Sequence, residues 1–353
     1  MAKVIEKRFV NWQGQDFDED TLEPSEVAQA IMEYLDCECT YFPSMADDDP
    51  IMSAYSYARR LGVREDFIPV LIKPDETLLE CLVMNADPEN DADCYEFNPK
   101  AVEEYRKKML SAPVKDGKAV LEELTGQRKE EAEEDDMDWE EEIIGEIDGG
   151  INNDRFASYW DSDTNMTVPL ILAKIPVKNP WEIFAYLPFG NWNECPDTLE
   201  LMAVAKYWFE QYDAVPAAMS HDELEFLLPA PVPKEKAIDV AVEQYGFCPD
   251  LDQNASIGTL ADTIHQSTVW YFWWDCCLLY TSHMDYRRLS LRAASPVVQE
   301  NHIVSGAWTV ADGHTDGRIL PLSDHKLAAQ LSTEGAALFP SDSENAGDGH
   351  MII

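Results

Sequence analysis

The eight residues from Phe189 to Pro196, FGNWNECP, bring side chains of several chemical types close together in the chain. Trp192, Asn193, Glu194 and Cys195 offer in succession an aromatic ring, an amide, a carboxylate and a thiol. Loops on rigid scaffolds often carry function, and here Trp192 would stack on a ligand while Asn193 and Glu194 made polar contacts. The same residues also fit a tight structural connection, anchored by the indole and capped by amide side chains. The sequence leaves both interpretations open.

A second candidate site lies at the end of the aromatic run TVWYFWW, where Trp274 is followed by Asp275. The continuous apolar character predicts first a buried strand, with Asp275 as a buried acid that accepts hydrogen bonds from indole or arginine N–H groups. An aromatic pocket would alternatively raise the pKa of Asp275 and suit it to acid catalysis. Trp274 and Asp275 therefore join Trp192, Asn193 and Glu194 as predicted binding residues.

The weakest candidate is a catalytic site. A nucleophile–base pair would need Cys195 or Cys248 beside a histidine, and only His221 and His265 precede residue 276. We expect His221 to be exposed in a hairpin turn and His265 to lie near a helix end, where it complements the helix dipole. No local signature of a thiol enzyme accompanies these residues. The catalytic candidates of a hydrolase-type cleft would be Glu194, Cys195 and Asp275.

Motifs of the common nucleotide-binding and hydrolytic folds are missing from residues 1–275. That segment contains no GxGxxG, P-loop, HExxH or GxSxG pattern, so the corresponding chemistries lose their usual support. Cys37-x-Cys39 is too closely spaced for a typical zinc site. The sequence therefore predicts neither a metal nor a cofactor, and it leans against an enzyme.

Net charge is the most unusual property of the composition. The 353 residues carry 26 Lys and Arg against 68 Asp and Glu, a formal net charge of −42, although 45% of residues are hydrophobic. Such a surface repels phosphate, so binding to nucleic acid or to an anionic membrane is unlikely on electrostatic grounds. No signal-peptide pattern follows Met1, and no apolar run approaches the ~20 residues of a membrane helix. The eight cysteines are expected to be free thiols in a reducing cytoplasm.

Charge and composition also divide the chain into four predicted segments. Twelve acids and no Lys or Arg lie between Glu130 and Asp148, which predicts an acidic, partly helical connector over residues 126–150. It would join an N-terminal α+β unit, 1–125, to a C-terminal unit, 151–275. Residues 276–353 differ: their net charge is −4, against −38 before them, and they hold five of the seven histidines. This tail is expected to be disordered or to come from chimeric assembly, since CLLYTS at its start is what the mosaic end of a sequencing-library transposon encodes in one frame.

The two predicted units share an order of features. Each has a Pro after two apolar residues, a further Pro, a helical pattern, an X-Pro pair in an apolar run, and an Asp-Glu pair. Corresponding residues stand 145 to 147 positions apart: Pro43 and Pro188, Pro50 and Pro196, Pro69 and Pro216, Asp75 and Asp222. This spacing predicts a duplicated β-α-β-β-α unit, and hence an α+β fold with mixed or antiparallel sheets. Leu78 to Met84 is predicted to be a strand that follows a turn at Pro74-Asp75-Glu76, and Pro69 and Pro216 are predicted to lie at edge or strand-start positions. Asp197 and Glu200 predict a capping box at the start of a helix that runs to Tyr212.

Three passages give the C-terminal unit a family resemblance. They are WEIFAYLPFGNWNECP from Trp181, YGFCPD from Tyr245 and VWYFWWD from Val269. With them, residues 181–275 resemble the domain-of-unknown-function 4253 family of bacterial proteins, and the resemblance extends upstream to about Asp36. It implies a fold and a site region, but no activity. The chain departs from the family where Asn191 and Asp213 replace usual glycines, which tolerate positive φ more readily.

Together these observations predict a cytoplasmic protein whose acidic surface binds the basic face of another protein, through a pocket or groove near residues 189–196 and Asp275. An immunity-like, toxin-neutralising role is one concrete form, by analogy. Two alternatives stay open: an unrecognised hydrolase, and a charge that serves solubility alone. Convergence of Glu194, Cys195 and Asp275 on one solvent-reached cavity would favour the hydrolase.

Overall fold

A computed structural model describes residues 8–10, 23–90, 96–250, 256–274 and 309–311. The helices are α1 (Glu26–Leu35), α2 (Asp49–Glu65), α3 (Glu76–Ala86), α4 (Pro99–Ser111), α5 (Gly117–Glu134), α6 (Thr198–Tyr212), α7 (Lys234–Phe247) and α8 (Ile257–Ile264), with short helical turns at Trp139–Ile144 and Pro180–Ala185. The strands are β1 (Arg8–Val10), β2 (Cys39–Phe42), β3 (Ile68–Ile72), β4 (Trp160–Asp161), β5 (Met166–Thr167), β6 (Leu170–Ile175), β7 (Val215–Met219), β8 (Glu223–Leu227), β9 (Val269–Trp273) and β10 (Thr309–Ala311).

The chain divides into two units, of which Thr21–Val304 contains the main sheet. In the other, Met1–Asp20 with Ser305–Ile353, strands β1 and β10 pair antiparallel. In the described parts of both units, no helix combines the length and the apolar character that a membrane span requires.

The main sheet has six strands in the order β2-β6-β3-β7-β8-β9. Strands β3 and β7 are parallel neighbours at its centre, and all other neighbours are antiparallel. The predicted α+β class with a mixed sheet is confirmed. Strands β2 and β3, from before residue 150, lie in the same sheet as four strands from after it, and β6 lies between them. The division of the chain at residues 125 and 150 stays a prediction.

The predicted strand at Leu78 to Met84 is wrong, because these residues lie in α3. Asp75 begins this helix: its side chain accepts a hydrogen bond from Leu78 N at 2.7 Å, which satisfies a free N–H of the first turn. The apolar residues then recur at helical rather than alternating spacing on one buried face. A short apolar run is ambiguous by pattern alone, and the cap decides it.

The central strands preserve the repeat spacing. In the parallel pair, Leu71 lies opposite Ala218 and Ile72 opposite Met219, an offset of 147 residues that equals the sequence offset. Pro69 and Pro216 are each the second residue of a strand, as predicted for strand starts, although both strands are central rather than edge strands. The duplication itself is not confirmed: at the repeat offset, strand β2 corresponds to the end of the helical turn Pro180–Ala185 and the residues after it, and helix α3 corresponds to strand β8.

Aromatic side chains fill the core on one face of the sheet. Trp208 of α6 is fully buried, and its ring centroid lies 5.0 Å from that of Phe247 and 5.4 Å from those of Trp270 and Phe272. Helix α6 begins at the predicted capping box, in which Asp197 and Glu200 each bond the other's backbone N–H. The opposite face of the sheet is covered by α2 and by the segment around Phe156 and Tyr159.

Candidate functional site

The predicted binding loop, residues 189–196, is a compact turn. Trp192 donates from its indole N–H to Phe189 O at 2.7 Å, and Cys195 N donates to Trp192 O at 2.9 Å. From outside the loop, Asn85 at the end of α3 donates to Pro188 O and Gly190 O at 2.7 and 2.8 Å. The indole therefore anchors the loop, as the structural interpretation expects, and the role of Asn85 was missed because it arises from a distant part of the chain.

Glu194 is the loop residue with a charged partner. Its side chain is 54% exposed and receives Arg128 Nη2 at 3.0 Å, while the same guanidinium binds Glu131 at 2.9 Å. Arg128 is nearly buried, with 10% of its side chain exposed. This arginine therefore links the binding loop directly to helix α5 and to the acidic segment that follows.

Cys195, Cys248 and Trp274 are buried instead of lining an open cleft. Burial raises the pKa of both thiols above its usual range, so both are held as neutral, poor nucleophiles. Trp274 contacts Phe189 of the loop, with 5.9 Å between ring centroids. The buried thiol of Cys195 and the exposed carboxylate of Glu194 give the predicted hydrolase-type cleft no support; Asp275 lies outside the described residues.

The acidic segment from Glu130 to Asp148, here called the acidic ridge, is docked on the fold. Trp139 packs on Tyr245 of α7 with 6.3 Å between ring centroids. Gly258 of α8 approaches the ridge so closely that a Cβ there would lie 2.2 Å from Glu146 O. The ridge comprises the last five residues of α5 and the helical turn Trp139–Ile144, so the predicted helical character is confirmed. Its carboxylates are thereby held on a packed scaffold.

Charge on the ridge is largely uncompensated. All twelve of its acids are exposed, and among the described residues Glu131 is the one ridge acid in an ion pair. Exposed apolar side chains stand between the acids: Met137 is 42% and Ile147 48% exposed. Partner surfaces combine such apolar anchors with a charged rim. The ridge therefore offers both elements of a protein-docking surface.

A separate polar cluster lies at the carboxyl ends of the central strands β3 and β7, an edge where open sheets often bind ligands. His221 Nδ1 lies 3.0 Å from Asp75 Oδ2, and its Nε2 lies 3.5 Å from Asp222 Oδ2. The expectation of an exposed His221 is wrong, since 21% of its side chain is exposed. Sequence reasoning missed the contact because 146 residues separate the two partners.

Glu223 is the centre of the same cluster. It accepts hydrogen bonds from Tyr271 Oη at 2.9 Å, Ser220 Oγ at 3.2 Å and Lys73 Nζ at 3.4 Å. Burial comes first among the causes that raise the pKa of Tyr271 well above its usual range, followed by the charge of Glu223. The phenol therefore stays protonated as the donor to Glu223. The Glu223 carboxylate therefore has its hydrogen-bond partners within the protein, which favours a structural role for Glu223.

His221 should make the stability of the fold depend on pH. Burial alone would lower its pKa, but the hydrogen bond to Asp75 and the charges of Asp75 and Asp222 outweigh burial and raise the pKa above 6.5. Because the pKa is higher in the folded state, protonation of His221 stabilises the fold. This stabilisation is complete at pH values below the pKa of the unfolded state, and it is lost as pH rises through the pKa of the folded state. We expect His221→Asn to destabilise the protein more at about pH 5.5 than at about pH 8.5 in urea unfolding.

Asp75→Asn provides the matched control, because Asn also caps helices but carries no charge. In that background, the effect of His221→Asn should depend much less on pH. An unchanged pH dependence would show that another group causes it.

One acidic group among the described residues has the spacing of metal ligands. Carboxylate oxygens of Asp47, Asp48 and Asp49 lie within 4.8 Å of one another. Asp48 is buried, however, and already binds Arg155 Nη2 and Tyr159 Oη, each at 3.0 Å. The guanidinium supplies positive charge at this position, so these residues do not by themselves indicate a metal centre.

The chain is an α+β protein with a mixed six-stranded sheet, and its surface carries an exposed acidic ridge beside a structured loop. Residues 171–275, somewhat less than a third of the chain, match the family described as "Domain of unknown function (DUF4253)". The match begins ten residues before Trp181, while the predicted resemblance upstream to Asp36 stays a prediction. No curated protein and no solved structure matches the chain.

The two positions at which the resemblance predicts glycine are both left-handed in this chain. Asn191 has φ of 69° and Asp213 has φ of 53°. Glycine adopts this region without strain, while Asn and Asp are the other residues that most often enter it. The departures therefore preserve the local turns.

Proposed function

We propose that the chain is an acidic protein-binding module, which docks the basic face of a partner protein on the acidic ridge and the adjoining loop. The observation that carries this proposal is the uncompensated charge of the ridge, presented on a packed scaffold. Charges held in place bind at a lower entropic cost than charges on a flexible tail. They also speed encounter with a basic partner and suppress acidic ones.

The loop extends this surface through Arg128. Since its guanidinium binds both Glu131 of the ridge and Glu194 of the loop, a partner that covers the ridge would also reach Trp192, Asn193 and Glu194. Met137 and Ile147 supply apolar contact area within the acidic surface. An immunity-like role, in which the partner is a basic toxin, is one form of this function.

We place this activity in the cytoplasm. Four of the cysteines that the structure describes, Cys37, Cys39, Cys195 and Cys248, are free thiols. Free thiols suit a reducing compartment, which supports the placement.

The test is affinity capture from a lysate of the source cells with the full chain at low and high salt. We expect a basic partner at near-equimolar yield that is lost at high salt. Changing four ridge acids to Gln should weaken its binding at least about tenfold, as expected for a ridge that faces the partner. The ridge variant carries Gln at Glu133, Glu134, Glu140 and Glu141.

A matched control separates a docking surface from overall charge. Four exposed acids elsewhere become Gln: Glu65, Glu89, Glu104 and Glu235. This variant has the same net charge as the ridge variant and should retain the partner. If both variants lost the partner equally, the interaction would be non-specific electrostatic attraction. If no salt-sensitive partner were captured, the proposal would be overturned. Inhibition of an enzymatic activity of the captured partner would support the immunity-like form.

A further inference from the structure

Two thiols touch each other in the link between α1 and β2. The Sγ atoms of Cys37 and Cys39 lie 4.0 Å apart. Asp36, with φ of 49°, ends α1 and turns the chain there, and Cys39 then begins edge strand β2. Cys37 is half-buried, whereas Cys39 is buried with 5% of its surface exposed. The pair therefore combines one thiol that a reagent can reach with one that is shielded from solvent.

We propose that Cys37 and Cys39 form a reversible dithiol–disulfide site, which exchanges with low-molecular-weight disulfides of the glutathione type. This proposal is independent of protein docking, because it rests on different residues and a different surface. The chemistry that recognises the site is that of a small disulfide able to reach a half-buried thiol.

The exchange proceeds in two balanced steps. The Cys37 thiolate attacks one sulfur of the small disulfide, forms a mixed disulfide and releases one small thiolate. The Cys39 thiolate then attacks Cys37 Sγ, forms the Cys37–Cys39 bond and releases the second small thiolate. Two protein thiols are thus oxidised, one small disulfide is reduced to two thiols, and the two protein protons pass to the released thiolates. Reduction by excess small thiol reverses both steps.

The location of the pair favours a switch over a permanent crosslink. A bond between residues two positions apart closes a very short loop, so it removes little entropy from the unfolded chain, and it stabilises the fold only by as much as the fold itself holds the two sulfurs together. Disulfides that contribute little stability are the readily reduced ones. The hydrogen bond with Cys37 comes first among the causes that raise the pKa of the Cys39 thiol, followed by burial and the charge of Glu38. Cys39 is therefore a poor nucleophile near neutral pH, so its attack on the mixed disulfide limits the rate, and exchange should be faster at alkaline pH.

The experiment is equilibration of the full folded chain with reduced and oxidised glutathione, followed by acid quenching, alkylation and tryptic mass mapping. The peptide from Phe9 to Arg59 contains Cys37 and Cys39 and no other cysteine. As the oxidised fraction rises, we expect this peptide to change from the doubly alkylated form to an unalkylated form two hydrogens lighter than the free dithiol, and to change back with excess dithiol. Cys37→Ser and Cys39→Ser should each give the glutathione adduct or the free thiol, and never the crosslinked mass.

A parallel titration in urea shows whether the fold positions the pair. We expect the folded chain to form the crosslink at a lower proportion of oxidised glutathione than the unfolded chain. Equal or weaker crosslinking in the folded chain would overturn the proposal, as would a wild-type peptide that keeps two alkylatable thiols. Retained folding of both serine variants, measured by circular dichroism, ensures that a missing crosslink reports on chemistry.

Discussion

Replacing Trp274 by alanine is expected to lower the free energy of unfolding by about 3–5 kcal/mol, the range for removing a large aromatic side chain from a packed core. Trp274 is fully buried and contacts Phe247 and Phe272, with ring centroids 5.4 and 6.2 Å apart. The loss should appear as a lower midpoint in urea unfolding monitored by circular dichroism. Trp274 was predicted to bind a ligand, and a loss of stability of this size would instead give it a structural role.

Trp274→Phe separates lost packing from lost polar contacts. The indole N–H of Trp274 is buried, and no described residue accepts a hydrogen bond from it. Phenylalanine removes that unsatisfied donor and keeps an aromatic ring, so it should cost clearly less than alanine. Trp192→Ala is the comparison within the loop, where a half-buried indole should matter less. If Trp274→Ala were as stable as wild type, the structural role would be wrong.

Local signals in the sequence were sufficient for several elements of this fold. The capping box at Asp197 and Glu200 correctly predicted where α6 begins. The two strand-start prolines correctly predicted the positions of β3 and β7. Both signals act within a few residues, so a single sequence displays them. The strand prediction for Leu78 to Met84 was wrong because an apolar run of seven residues fits either a buried strand or a buried helix. The Asp75 cap that decides between them was interpreted as a turn.

The candidate site depends more on contacts that join distant parts of the chain. Trp192 could be predicted as an anchor from the composition of its loop, but the bonds from Asn85 and Arg128 could not. The contact of His221 with Asp75 could have been anticipated from the repeat offset. Two parallel strands paired at that offset bring Asp75 and the residues around Asp222 to the same edge. Charge pattern identified the ridge, while its docking on α7 and α8 required the structure.

Glu225→Gln is expected to remove a pH-dependent loss of stability of about 3 kcal/mol. Glu225 of β8 is fully buried, and burial raises its pKa from 4.5 to about 7 against the opposing effect of hydrogen bonds from Ser158 and Ala157. At pH values between 4.5 and about 7, Glu225 keeps its proton in the folded state and releases it in the unfolded state. Wild-type stability therefore falls with rising pH across this window, by about 1.4 kcal/mol per pH unit, while a glutamine does not titrate.

The measurement is the unfolding free energy of variant minus wild type in urea, from about pH 4.5 to about pH 8. We expect this difference to rise through the window and level off above pH 7, where wild-type Glu225 is ionised in both states. Ser158→Ala removes a hydrogen bond that opposes the pKa increase, so it should extend the loss to higher pH. A constant difference would mean that Glu225 titrates alike in both states. Glu225 of the central sheet accepts hydrogen bonds from the backbone N–H groups of residues 157 and 158, which precede the DUF4253 region. The ionisation state of Glu225 therefore affects how strongly this segment binds to the sheet.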